Sequence, residues 1–136
     1  MNRYLLDTNV ISETRKARPH AALITWFSGM SEGTLFLSAV TLGELQAGIQ
    51  RTRYQDPAKA DELERWMDRL PASYQVLPLD IACFREWGRI MNKKSPDVLQ
   101  DVMLAATARV HGLIVATRNE RDFKLLEVQT FNPFKH

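Results

Sequence analysis

Cysteine is almost missing from this chain. Cys83 is the only one in 136 residues, so no intrachain disulfide can form. Neither it nor the three histidines offer the paired spacing of a zinc site. Long apolar runs are missing as well: no stretch approaches the roughly 18 apolar residues that span a bilayer. Met1-Asn2-Arg3 passes into a short strand-like run without the apolar segment of a secretory signal, and the simplest expectation is a reducing, cytoplasmic setting. Charge of one sign is not in excess either. Eighteen Lys and Arg against 16 Asp and Glu leave a formal +2, a balance that neither requires nor excludes a nucleic-acid partner. No repeat, low-complexity tract or linker divides the sequence, and its length suits one domain over 1–136 with a sizeable core.

What is present alternates short apolar runs with longer amphipathic stretches. Residues 3–7, 34–38, 75–77, 113–117 and 128–131 are expected as strands. Residues 8–15 are expected as a turn or short helix. Helices are expected from Pro19 to about 29, after a cap at Ser38 or Thr41, from Asp56-Pro57 to a stop at Pro71, over 80–93, and from Ser95-Pro96-Asp97 to Gly112. Asn119 to Phe123 reads as a helical turn. Strands alternating with helices imply an α/β fold: a central, mostly parallel sheet of about five strands with helices on both faces. Cys83 falls in a helical apolar pattern and reads as a small core residue.

Four acids break this apolar scheme. Asp7 ends Tyr4-Leu5-Leu6, Glu44 follows Leu35-Phe36-Leu37, and Asp122 follows Leu113-Ile114-Val115-Ala116. Asp101 shares a helical face with Leu104, Ala105 and Ala108. Carboxylates near a core are costly without a partner. In an open α/β sheet, residues just past the strands gather at one edge. Clustered carboxylates raise one another's pKa unless a cation neutralises them, and all-oxygen ligation favours Mg²⁺ or Mn²⁺. Each acid also has a structural role open to it. Thr41 and Glu44 fit a capping box, Asn119 and Asp122 fit the same pattern, and Asp7 could cap the turn at Thr8-Asn9. Asp97 favours a helix N-terminus by charge, yet is one turn from Asp101 and stands as a possible fifth acid.

The strings Leu6-Asp7-Thr8-Asn9, Thr41-Leu42-Gly43-Glu44-Leu45, Asp101 to Ala108 and Thr117-Arg118-Asn119-Glu120-Arg121-Asp122-Phe123 together resemble the PIN domain family. Within it the likeness is to VapC-type toxins of bacterial toxin–antitoxin modules, including their FitB-like branch. It covers residues 4 to about 134 with the motifs in order. The resemblance implies a PIN-like three-layer fold and a Mg²⁺- or Mn²⁺-dependent endoribonuclease. Asp7 and Asp101 would hold the metal most directly, Glu44 and Asp122 would complete the pocket, and Asn9, Thr117 and Asn119 would support it. It further implies inhibition by a cognate antitoxin lying across an apolar groove, homodimerisation, and contact with DNA only through the antitoxin.

The chemistry asks for a nucleophilic water and neutralised phosphate charge, both within reach of a divalent cation. His20, His111 and His136 fall at a helix start, a helix end and the terminus, so none is expected as a general base. Arg15, Lys16, Arg18, Lys93, Lys94, Arg118 and Arg121 flank the acids in sequence and could contact phosphate. Two other classes compete. A metal-dependent phosphatase of the haloacid dehalogenase type would want a second Asp where Asn9 stands. A non-catalytic module on the same fold would have no reason to keep four repelling acids.

Overall fold

The computed structural model describes residues 1–135; His136 lies outside the described residues. Five strands form one sheet: β1 (Tyr4–Leu6), β2 (Leu35–Ser38), β3 (Gln75–Leu77), β4 (Ile114–Ala116) and β5 (Thr130–Phe131). Their order is β3-β2-β1-β4-β5, and every pairing is parallel. The expectation of a mostly parallel five-stranded sheet holds, with no antiparallel member among the described residues. The last strand is shorter than the expected 128–131.

Alternation along β1 sends its side chains into two separate cores. Leu5 joins Phe36, Leu104, Val115 and Phe123 on one face, while Tyr4 and Leu6 join Val10, Leu23, Leu37 and Phe134 on the other. The first face is covered by α6 (Ile81–Met91), α7 (Leu99–His111) and α8 (Glu120–Lys124). The second is covered by α1 (Thr8–Glu13), α2 (Ala21–Ser28), α3 (Ala39–Gln55), α4 (Pro57–Asp68) and α5 (Leu70–Ser73). This is the expected three-layer arrangement. Cys83 is fully buried within α6, as its apolar pattern indicated.

One helix boundary differs from expectation, and a second settles on one of its two candidates. Pro71 does not end a helix; α4 closes at Arg69, and Pro71 sits in the first turn of α5, where its missing N–H costs nothing. The cap of α3 is Ser38, whose Oγ accepts from Val40 N at 3.1 Å. Thr41 lies inside the helix and is fully buried. The capping box with Glu44 is therefore not formed. Ser95 does cap the 3-10 turn Pro96–Val98 that leads into α7, and Gly112, at φ 66°, ends that helix in the left-handed region.

Because all strands run parallel, their carboxyl ends share one edge. The chain starts at the sheet centre with β1, builds outward to β3, then crosses back to add β4 and β5. The crevice between the ends of β1 and β4 is the point where that order reverses, the place such sheets use for ligands.

Candidate active site

Asp7 follows β1 directly and caps α1. Its Oδ1 accepts from Thr8 N at 2.7 Å, and its Oδ2 accepts from Thr117 Oγ1 at 2.8 Å and Asn9 Nδ2 at 3.2 Å. The backbone N–H of Asp7 is tied across the crevice to Ala116 O at 2.9 Å. Both oxygens are thus oriented by neutral donors, and the carboxylate is 8% exposed. Burial raises its pKa despite these donors, and Asp122 raises it further.

Glu44 stands in the second turn of α3, half-buried, and its Oε1 accepts from Thr8 Oγ1 at 3.1 Å. Its pKa is raised by burial and by Asp7 and Asp101. Asp101 lies in the first turn of α7, where the helix N-terminus favours negative charge. Burial, Asp7 and Asp122 all raise its pKa. Asp122, in the first turn of α8, is exposed on the other flank. Each of the four therefore lies within electrostatic reach of at least one other. Among the described residues no lysine or arginine pairs with any of them. The carboxylates of Asp101 and Asp122 accept no hydrogen bond there either.

Among the described residues, no group of three or more His, Cys, Asp or Glu side chains is drawn together closely enough to hold a metal ion. The acids repel across a gap. Hard oxygen donors around such a gap match a cation that keeps several of its waters.

Of the supporting residues, Thr117 and Asn9 touch Asp7 directly. Asn119 contributes its backbone N–H, which donates to Thr117 Oγ1 at 2.9 Å, and its side chain makes no capping bond to α8. Asp97 is exposed in its turn and joins none of these contacts. Lys16 pairs with Glu13 at 2.8 Å, and Lys94 lines a separate hollow with Glu86, Arg89 and Arg109.

Three residues were missed in the sequence. Thr8 links Asp7 to Glu44 through its backbone and hydroxyl. Glu13, 6% exposed, accepts from His20 N at 3.0 Å and lies 3.9 Å from Arg118 Nη2. Asn132 accepts from Phe134 N at 2.9 Å and donates to Arg118 O at 3.5 Å. Since Arg118 N donates to Asn9 Oδ1 at 3.2 Å, a hydrogen-bonded line runs from Phe134 through Asn132, Arg118 and Asn9 to Asp7. The Asn132-Pro133 pair, a turn signal, was its one visible trace.

Two clefts flank the acids. One, of about 270 Å³, lies beside Glu44 between α1, α3 and α4 and is lined by Leu45, Gly48, Ile49, Leu63 and Trp66. The other, of about 530 Å³, opens beside Asp122 and is lined by α8 and the segment Asn132 to Lys135.

A PIN domain family model matches residues 4–128. The VapC ribonuclease Y4jK of Sinorhizobium fredii is 36% identical over 142 residues, covering 96% of this chain and 97% of that protein. The toxin FitB of Neisseria gonorrhoeae is 32% identical over 139 residues, covering 96% and 97%. A solved structure of FitAB bound to an IR36 DNA fragment superposes with a TM-score of 0.83 at 30% identity, covering 98% of this chain and 96% of that one. The parallel sheet, the acids at its switch point and these likenesses agree: the chain belongs to the PIN domain family.

Proposed function

We infer that this protein is a metal-dependent endoribonuclease that hydrolyses RNA phosphodiester bonds. It serves as the toxin of a toxin–antitoxin pair and is held inactive by a small cognate antitoxin. One observation carries the chemistry: Asp7, Glu44 and Asp101, from three separate segments, have their proton affinity raised by burial and by neighbouring acids, Asp122 among them, with no cationic side chain to relieve them. The biological role is supported by the relatives, one a VapC ribonuclease and another a toxin.

Mg²⁺, or Mn²⁺ in its place, fits the donor set. Asp7 and Asp101 would hold it most directly, with Glu44 and Asp122 reaching it through water. Such a cation supplies positive charge against the charge that develops on the phosphate, and it makes a nearby water more acidic. The protein's own groups divide the remaining work. Asp7 is fixed by three donors, so its oxygens hold their place. Thr8 sets the direction of Glu44 and keeps that carboxylate aimed across the crevice. The Asp101 carboxylate accepts no hydrogen bond among the described residues and holds a proton more tightly than an ordinary aspartate. With the cation bound, Asp101 or Glu44 would position the attacking water.

The antitoxin is assigned to the apolar cleft of Leu45, Ile49, Leu63 and Trp66, with a basic side chain reaching past Glu44 toward the acids. Homodimerisation follows from the family likeness, and DNA is reached only through the antitoxin.

The test is cleavage of RNA by the chain freed of partner. Mg²⁺ or Mn²⁺ should support cleavage and EDTA should stop it. Asp7→Asn and Asp101→Asn should each lower the rate by at least about 100-fold, beyond the ~10–100-fold cost of losing an outer-shell partner. Undiminished cleavage in EDTA, or by both variants, would refute the assignment.

A further inference from the structure

The two clefts beside the acids differ in chemistry, and that difference separates their occupants. The cleft beside Glu44 is largely apolar, with Arg15 as its single cation. The cleft beside Asp122 carries four cations: Arg118, Arg121, Lys124 and Lys135. Its two acids, Glu120 and Asp122, leave an excess of two positive charges. Glu120 accepts from Thr130 Oγ1 at 2.8 Å, and Asp122 belongs to the acidic centre. Arg121, Lys124 and Lys135 are exposed and form no ion pair or ring contact among the described residues.

Arg118 is built differently. Its guanidinium lies 3.8 Å from the centre of the Phe134 ring, with Glu13 beside it at 3.9 Å. Its backbone is bonded on both sides, to Asn9 and to Asn132. One cation is thus held still against an aromatic face, while three others are free to follow a flexible chain. A fixed guanidinium with three exposed cations behind it suits a run of phosphates better than a single anion.

We propose that the cleft between α8 and the Asn132–Lys135 segment holds the sugar–phosphate backbone of single-stranded RNA next to the bond that is cleaved. The inference rests on the nuclease assignment, and it adds the side from which substrate enters. Arg118 anchors the phosphate nearest Asp122, and Arg121, Lys124 and Lys135 hold the ones beyond. Volume agrees with charge, since about 530 Å³ admits backbone that the 270 Å³ apolar cleft would hold only with its charges desolvated.

The test separates binding from cleavage. The full chain carrying Asp101→Asn is titrated, without metal, into a labelled single-stranded oligoribonucleotide at several salt concentrations, and fluorescence anisotropy is read. Adding Lys124→Ala and Lys135→Ala should weaken binding about tenfold and reduce the slope of log K against log salt by about 1.4, at ~0.7 per phosphate contact on a single strand. Arg121→Glu should act in the same direction. In the otherwise unaltered chain, the lysine pair should place its loss on KM rather than kcat. Thermal melting checks that the exposed substitutions leave the fold intact. Unchanged affinity and salt slope in the lysine variant would overturn the proposal, as would displacement of the RNA by poly-glutamate at equal charge, which would mark an acidic polypeptide as occupant. Lysine-dependent binding without metal-dependent cleavage would instead remove the nuclease assignment and leave the cleft standing.

Discussion

At the scale of residues, the site is an unstable arrangement that the fold imposes. Asp7, Glu44 and Asp101 all hold protons above their ordinary values of 3.8, 4.5 and 3.8. The folded state then binds more protons than the unfolded chain once pH exceeds those values. Stability from these three groups is complete below them and is lost as pH rises through the folded pKa values. Glu13, lowered chiefly by its bond to Lys16, acts in the opposite sense. In EDTA at neutral pH, Asp101→Asn should therefore melt higher than the parent, by roughly 2–5 °C, and the gap should close at acid pH. Saturating Mg²⁺ should raise the parent's Tm and leave the variant's nearly unmoved. Melting curves at several pH values check both, and a variant less stable than its parent in EDTA would contradict the account. The acids themselves were visible in the sequence because each interrupts an apolar pattern. Thr8 and Glu13 were not, since a hydroxyl in a first turn and a charge in a short helix look like surface until partners arrive from far along the chain.

At the scale of elements, the strands and long helices followed from periodicity, and the errors fell at their ends. Pro71 restarts a helix rather than stopping one because the chain has already turned at Arg69. Ser38 and Thr41 were equal candidates for a cap until the end of β2 fixed which residue precedes the first turn. The segment Asn132 to Phe134 matters most among the short pieces. Asn132 is 5% exposed, and its two bonds lock the loop that carries Arg118 beside Asn9 and Thr117. Asn132→Ala should cost about 1–3 kcal/mol, the penalty for stripping buried groups of a partner. It should also slow RNA cleavage, because Asn9 and Arg118 lose their register with Asp7. Urea unfolding and single-turnover cleavage measure the two effects, and a stability loss without any change in rate would show that the line of bonds ends before Asp7.

At the scale of the whole molecule, the sheet order brings two unlike clefts to the same acids from opposite flanks. No helix among the described residues is long and apolar enough to cross a membrane. Gly48 offers a way to close one cleft alone. It lies mid-helix in α3, and a Cβ there meets only the end of Arg51, at 3.7 Å. Gly48→Gln should therefore stabilise the helix by about 0.5–1 kcal/mol, as most residues do in place of glycine. It should also fill the apolar cleft, weaken antitoxin binding at least tenfold and leave RNA cleavage in place. Calorimetric titration with antitoxin, beside a cleavage assay, reads the two outcomes separately, and full antitoxin affinity would argue that the partner docks elsewhere.

The bond between Thr117 and Asp7 joins residues 110 positions apart. At the usual pace of synthesis, about 5–20 residues per second, a nascent chain carries Asp7 for some 5–20 s before Thr117 has even been made. Through that interval β1 has no β4 beside it, and the crevice has only one wall. A protein proposed to cut RNA thus emerges from a machine built of RNA with its cutting edge still in two pieces.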